Sequence, residues 1–178
     1  MLWFLACTSN PKEDTAAELP CWLQKPQVSI GTGEYVWEAI DELDPVVMVH
    51  GPQGGWHMLG SVQVINTQPI IEVDFTITEE STGMVVSSNH YRVAMIMEEE
   101  CSGYYPGMYG YLNVIDLEVG DLDTPPELLA DKIVTFEMSI NDCTQTQDEQ
   151  GECNRDQRWS QAQIRVSTEL DEIDIVQE

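Results

Sequence analysis

Met48-Val-His50-Gly-Pro-Gln-Gly-Gly-Trp-His57-Met58 brings two imidazoles and two thioethers close together along the chain. Imidazole and thioether are donors that suit copper. If residues 51–55 turn a hairpin, His50 and His57 stand near each other on paired strands, with Met58 beside them. That makes His50, His57 and Met58 the candidate copper ligands. The structural account competes with it, because methionine in a strand is commonly core filler and a His pair flanking a turn is commonly solvated. A harder donor set lies at Asp116-Leu-Glu118-Val-Gly-Asp121-Leu-Asp123, whose oxygens suit calcium. The EF-hand spacing is not met there, and a solvated acidic loop is the default.

Cys101-Ser-Gly-Tyr104-Tyr105-Pro-Gly-Met-Tyr109-Gly-Tyr111 sets four tyrosines among Gly, Ser and Pro, a composition like that of binding loops. Tyrosine offers a large contact area with little side-chain entropy to lose, and Gly and Ser let a loop adapt. Tyr104, Tyr105, Tyr109 and Tyr111 are therefore the candidate contacts for a protein or glycan. The alternative places Tyr109 and Tyr111 in a strand, with their rings packed over a sheet face. Nucleophilic catalysis asks for more than this: an activated nucleophile, a base and a group orienting the base. The histidines are His50, His57 and His90, and no G-x-S-x-G elbow exists. With 32 carboxylates, a close pair has no diagnostic weight. The expectation is a protein that is not an enzyme, with no catalytic residue assigned.

The chain opens Met1-Leu-Trp-Phe-Leu5-Ala6-Cys7 and then turns polar. This resembles the lipobox of bacterial lipoproteins, with Leu5 and Ala6 completing the box; six residues precede Cys7 and none is basic. The resemblance implies a lipid on Cys7 and membrane contact through that anchor only. Thr8 rather than Asp after the cysteine implies the outer membrane. With Cys7 assigned to lipid, Cys21, Cys101, Cys143 and Cys153 remain, an even number that suits an oxidising compartment. Four cysteines allow three pairings. Bridging Cys143 to Cys153 is the simplest way to order the polar stretch between them, worth about 2–3 kcal/mol in the chain-entropy model. Cys21 would then pair with Cys101. Zinc is the weaker explanation, since C-x-x-C spacing is lacking.

Charge removes several partner classes. Seven basic residues against 32 acidic ones give a net −25, so phosphate-neutralising contacts to nucleic acid are excluded. Attraction to an anionic leaflet fails for the same reason. No apolar run after Cys7 reaches the length of a membrane span, and 42% apolar residues is too many for a disordered acidic chain.

The elements that must position these side chains read as strands. Ile71, Val73, Phe75 and Ile77 alternate with Glu72, Asp74, Thr76 and Thr78, the pattern of a half-buried antiparallel strand. Val134, Phe136, Met138 and Ile140 repeat it, as do Ala162, Ile164 and Val166. Further strands are expected at 46–50, 56–65, 85–97 and 108–115, with an edge strand at 28–33. Turns are expected at 51–55 and 79–83, and a short helical turn at 127–131. The order of elements across 27–168 resembles an immunoglobulin-like or fibronectin-type module, although the Cys…Trp…Cys signature of true immunoglobulin domains is absent. The expected fold is all-β, a single antiparallel sandwich of seven to eight strands with disulfides. Residues 1–6 are expected to be an apolar signal remnant, 7–26 a lipidated Cys and tether, 27–168 the domain, and 169–178 an acidic tail. The expected role is a non-catalytic binding or structural module at the bacterial surface, meeting an envelope protein or glycan. A metal-binding envelope protein is the alternative.

Overall fold

The computed structural model describes residues 20–51, 55–112, 128–142 and 158–171, with the backbone alone at Trp22. Alternation becomes sheet wherever one face can be buried. β5 (Ile70–Glu79) hides Ile71, Val73, Phe75 and Ile77 completely and turns Glu72, Asp74 and Thr76 outward. β9 (Ile133–Asn141) buries Val134, Phe136, Met138 and Ile140 in the same way. Phe75 and Phe136 meet edge-on with ring centroids 5.2 Å apart, an arrangement the ring quadrupole favours.

Eight more strands complete the described body: β1 (Gln27–Thr32), β2 (Glu38–Ala39), β3 (Pro45–His50), β4 (Trp56–Ile65), β6 (Met84–Ala94), β7 (Ile96–Glu99), β8 (Ser102–Tyr111) and β10 (Trp159–Leu170). β4 is the organising strand. One edge pairs with β3 near His57 and with β1 near Val64, while the other pairs with β8 along its length. From β3 the ladder continues through β10, β9 and β5 to β6. The sheet curls until β6 meets the outer edge of β8, where the Tyr91 hydroxyl donates to the Tyr109 carbonyl. Contact is close inside. A Cβ on Gly60 would stand 2.7 Å from Phe75 Cζ, and one on Gly110 2.5 Å from Ile77 Cδ1.

The described fold is thus almost entirely β, but it has ten strands in one curled mixed sheet rather than seven or eight antiparallel ones. Three physical reasons account for the difference. The apolar run 85–97 divides at Met95, whose N–H donates to the Pro69 carbonyl at 2.8 Å instead of to a ladder. β2 has two residues, too few to show any period, and by pairing with β1 it removes that strand from the edge. β10 runs on to Leu170 because its last residues, Ser167–Leu170, lie parallel to Pro45–Met48 of β3.

The segment before β1 is tied to the body. Cys21 is disulfide-bonded to Cys101, with Cα atoms 6.0 Å apart. Asn66 Nδ2 donates to the Lys25 carbonyl at 3.3 Å, and Arg158 Nη1 donates to the Gln24 carbonyl at 2.7 Å. Cys7, Cys143 and Cys153 lie outside the described residues, as do Asp116, Glu118, Asp121 and Asp123.

The turn between β5 and β6 is built on one carboxylate. Glu79 is 4% exposed, and it accepts from the N–H groups of Ser81 at 2.8 Å and Thr82 at 2.9 Å as well as from the Thr82 hydroxyl. Burial pushes its pKa up, but these bonds outweigh that and hold it down at about 2. A carboxyl depressed in the folded state stabilises fully above its ordinary value and loses that contribution as pH falls through the folded one. Stability is therefore expected to decline as pH drops from about 4.5 towards 2. Urea midpoints at pH 6 and pH 3 check this: Glu79→Gln should be less stable than the native chain at pH 6, and the gap should narrow by pH 3.

Candidate functional site

The most unusual exposed surface lies on the outer face of β4 and β8. Along β8, Gly103, Tyr105, Met108 and Gly110 face the core, while Tyr104, Tyr109 and Tyr111 face out, as pairing opposite β4 requires. The register shifts between Gly60 and Val62, and this irregularity separates Tyr104 from Tyr109. Segment 102–111 is thus a strand rather than a binding loop. Of the four tyrosines, Tyr109 and Tyr111 come together, Tyr104 stands beyond the shift, and Tyr105 packs against the core.

Tyr109 and Tyr111 stack with centroids 5.6 Å apart and planes 19° from parallel. They are 40% and 57% exposed. His57, directly opposite Tyr111, is buried beneath them with its ring edge-on to Tyr109 at 4.6 Å. Burial lowers its pKa and so favours the neutral imidazole, which serves as packing support. Tyr91 fixes the strand from the other side. Burial first, then the neighbouring Tyr111 and Tyr105 phenols, raise it to about 12, which keeps its hydroxyl a donor to the Tyr109 carbonyl.

A third exposed ring comes from the turn between β1 and β2. Tyr35 is 77% exposed and Val36 50%. That turn is locked onto β8 and β4: Gly107 N–H of β8 donates to the Gly33 carbonyl at 3.0 Å, and the buried Ser61 hydroxyl of β4 donates to the same oxygen at 2.9 Å. Gly107 sits at φ +65° with Glu34 O against it, so a Cβ there would lie 2.6 Å from that oxygen. Only glycine lets turn and strand meet this closely. The Tyr35 phenol is raised above its ordinary range by a hydrogen bond with the Glu34 carboxylate. Tyr35 and Ser61 escape sequence reasoning, although Gly31-Thr-Gly33 does mark a turn there.

The candidate copper residues do not converge. His50 lies opposite Trp56 and stacks on it at 4.6 Å, whereas His57 lies opposite Val49. Consecutive residues of a strand point to opposite faces, so the two imidazoles are on opposite sides of the sheet. Met58 shares the face of His50 and is completely buried. His90 Nδ1 is 2.7 Å from Asp74 Oδ1, but both side chains are more than half exposed, so water screens the pair.

No protein-family model and no curated protein matches this sequence. Among solved structures, the CooA pilin subunit from enterotoxigenic Escherichia coli is similar at 8% identity and a TM-score of 0.33, over 83% of this chain and 99% of that one. A likeness of that size carries no functional weight, so function rests on this chain's own residues.

Proposed function

We propose that this chain is a non-catalytic binding or structural module of the bacterial cell surface that docks a protein partner through Tyr35, Tyr109 and Tyr111. The observation that carries the proposal is the stacked, exposed Tyr109–Tyr111 pair on a paired strand. Rings already held in place lose little freedom on binding, so more of the contact energy appears as affinity. Interfaces concentrate their energy in a few such aromatic residues. The Cys21–Cys101 bond supports an oxidising compartment. A lipid on Cys7 and an outer-membrane location complete the reading on the strength of the Leu5-Ala6-Cys7 box. For the scaffold we propose an immunoglobulin-like type, supported by the way β3 bridges β4 and β10 around one core.

Because both rings lie on the outer face, Tyr109→Ala with Tyr111→Ala should leave the melting temperature within a few degrees of native. The same protein should lose about 2–4 kcal/mol of affinity for its partner, as truncation of hot-spot residues typically does. Retention of cross-linked envelope proteins on the immobilised variant measures this. Undiminished retention of the same partner would exclude the face.

A further inference from the structure

A second site lies on a different face, and no part of the tyrosine reading requires it. The outer faces of β6, β5, β9 and β10 stand in register across four strands. Arg92, Glu72, Asn141 and Trp159 form one row, and His90, Asp74, Ser139 and Gln161 form the next. Neighbouring strands are about 4.8 Å apart, so each row spans roughly 14 Å. Between the rows is a hollow of about 370 Å³, bounded at one end by the Asp74–His90 pair and at the other by Trp159. Trp159 also lines a second hollow of about 470 Å³, together with Lys25, Gln161 and Gln163. The indole, 43% exposed, thus lines both hollows, which together make a track past Trp159.

We infer that this track binds a neutral oligosaccharide, with Trp159 as its stacking platform. A sugar ring has an apolar C–H face and a rim of hydroxyls. The track offers the match: one large aromatic face among side chains bearing carboxylate, amide and hydroxyl groups, with Arg92, His90 and Lys25 as further donors. Carboxylates and amides accept from or donate to adjacent hydroxyls in pairs, and hydrogen bonds to charged groups are the stronger kind. His90 Nδ1 lies 2.7 Å from Asp74 Oδ1, and both side chains line the hollow. Two hollows that share one indole call for more than a single ring. Other occupants fit less well. A protein partner needs several clustered apolar anchors, and this track has one. Arg92 and Lys25 balance Glu72 and Asp74 within the track, so it has no local excess of positive charge to draw in an anion, and the net −25 of the chain repels nucleic acid and acidic sugars alike.

The test is an array of neutral oligosaccharides (glucans, mannans, galactans and chitin fragments of four or more residues) beside uronate and sialylated ones, probed with the full-length chain. At least one neutral class should be retained, and the acidic ones should not. Calorimetry with the retained oligosaccharide should show at least tenfold weaker binding for Trp159→Ala and substantial recovery for Trp159→Tyr, which restores a platform. Tyr109→Ala should bind as the native chain does, which separates this site from the tyrosine face. Circular dichroism and melting of each variant exclude misfolding as the cause. Retention of no neutral oligosaccharide, or equal affinity in Trp159→Ala, would overturn the inference, as would preference for acidic sugars.

Discussion

Arg158→Ala is expected to cost about 3–5 kcal/mol of folding stability, the range for breaking one partner out of a buried ion pair. Its side chain is 9% exposed, and that of Asp142 not at all. Arg158 Nε donates to Asp142 Oδ1 at 2.6 Å, and Nη2 donates to Oδ2. The remaining donors reach the carbonyls of Gln24 at 2.7 Å and Asn66 at 2.8 Å. Asp142 Oδ2 also accepts the Gln68 N–H at 3.0 Å. One guanidinium therefore joins the segment before β1, the turn after β4, the end of β9 and the start of β10. Removing it leaves a buried carboxylate and two carbonyls without these donors. Domains are stable by only about 5–15 kcal/mol, so the variant should sit near the folding threshold. Asp142→Ala should cost a similar amount, and the double variant much less than the sum, because both changes dismantle one network. Arg158→Lys should fail to rescue, since an ammonium lacks the planar fork. Urea unfolding of the four proteins measures the cycle; additive costs, or single costs below about 1 kcal/mol, would refute the role.

The Cys21–Cys101 bond is expected to have an effect of similar size. It closes a span of 80 residues, for which the chain-entropy model gives about 4.5 kcal/mol. Cys21→Ala with Cys101→Ala should lower the melting temperature sharply, and reductant should then change it no further through this bond. The loss should be smaller in an Arg158→Ala background, because Gln24 and Cys21 are anchored at the same end of the body. A double-cysteine variant as stable as the native chain would show that the bridge constrains nothing.

What was legible in the sequence follows the range of the forces involved. β5 and β9 announce themselves because half-burial imposes period two within a single strand. β8 announces itself only from Met108, within the strand expected at 108–115; its earlier part is read as a loop, since its inward positions include Gly103, where close packing demands glycine and leaves no apolar side chain to read. The parallel contact between β3 and β10 joins residues more than 120 positions apart, and nothing local encodes it. Arg158 is equally silent, with partners 16, 92 and 134 positions away. The tyrosines of β8 were visible as a composition. Which of them share a face depends on a register shift that only pairing with β4 reveals. His50 and His57 illustrate the same point. Proximity was legible, but with His50 opposite Trp56 the hairpin register sends the two rings to opposite sides.

The most direct test of the account is photo-cross-linking in intact cells from a benzoylphenylalanine placed at Tyr111. An identical probe at Val85, 53% exposed on β6, is the control. The tyrosine-face reading predicts one discrete adduct from position 111 that disappears when Tyr35 and Tyr109 are changed to alanine, and no such adduct from position 85. Equal labelling from both positions, or none from 111, would contradict it.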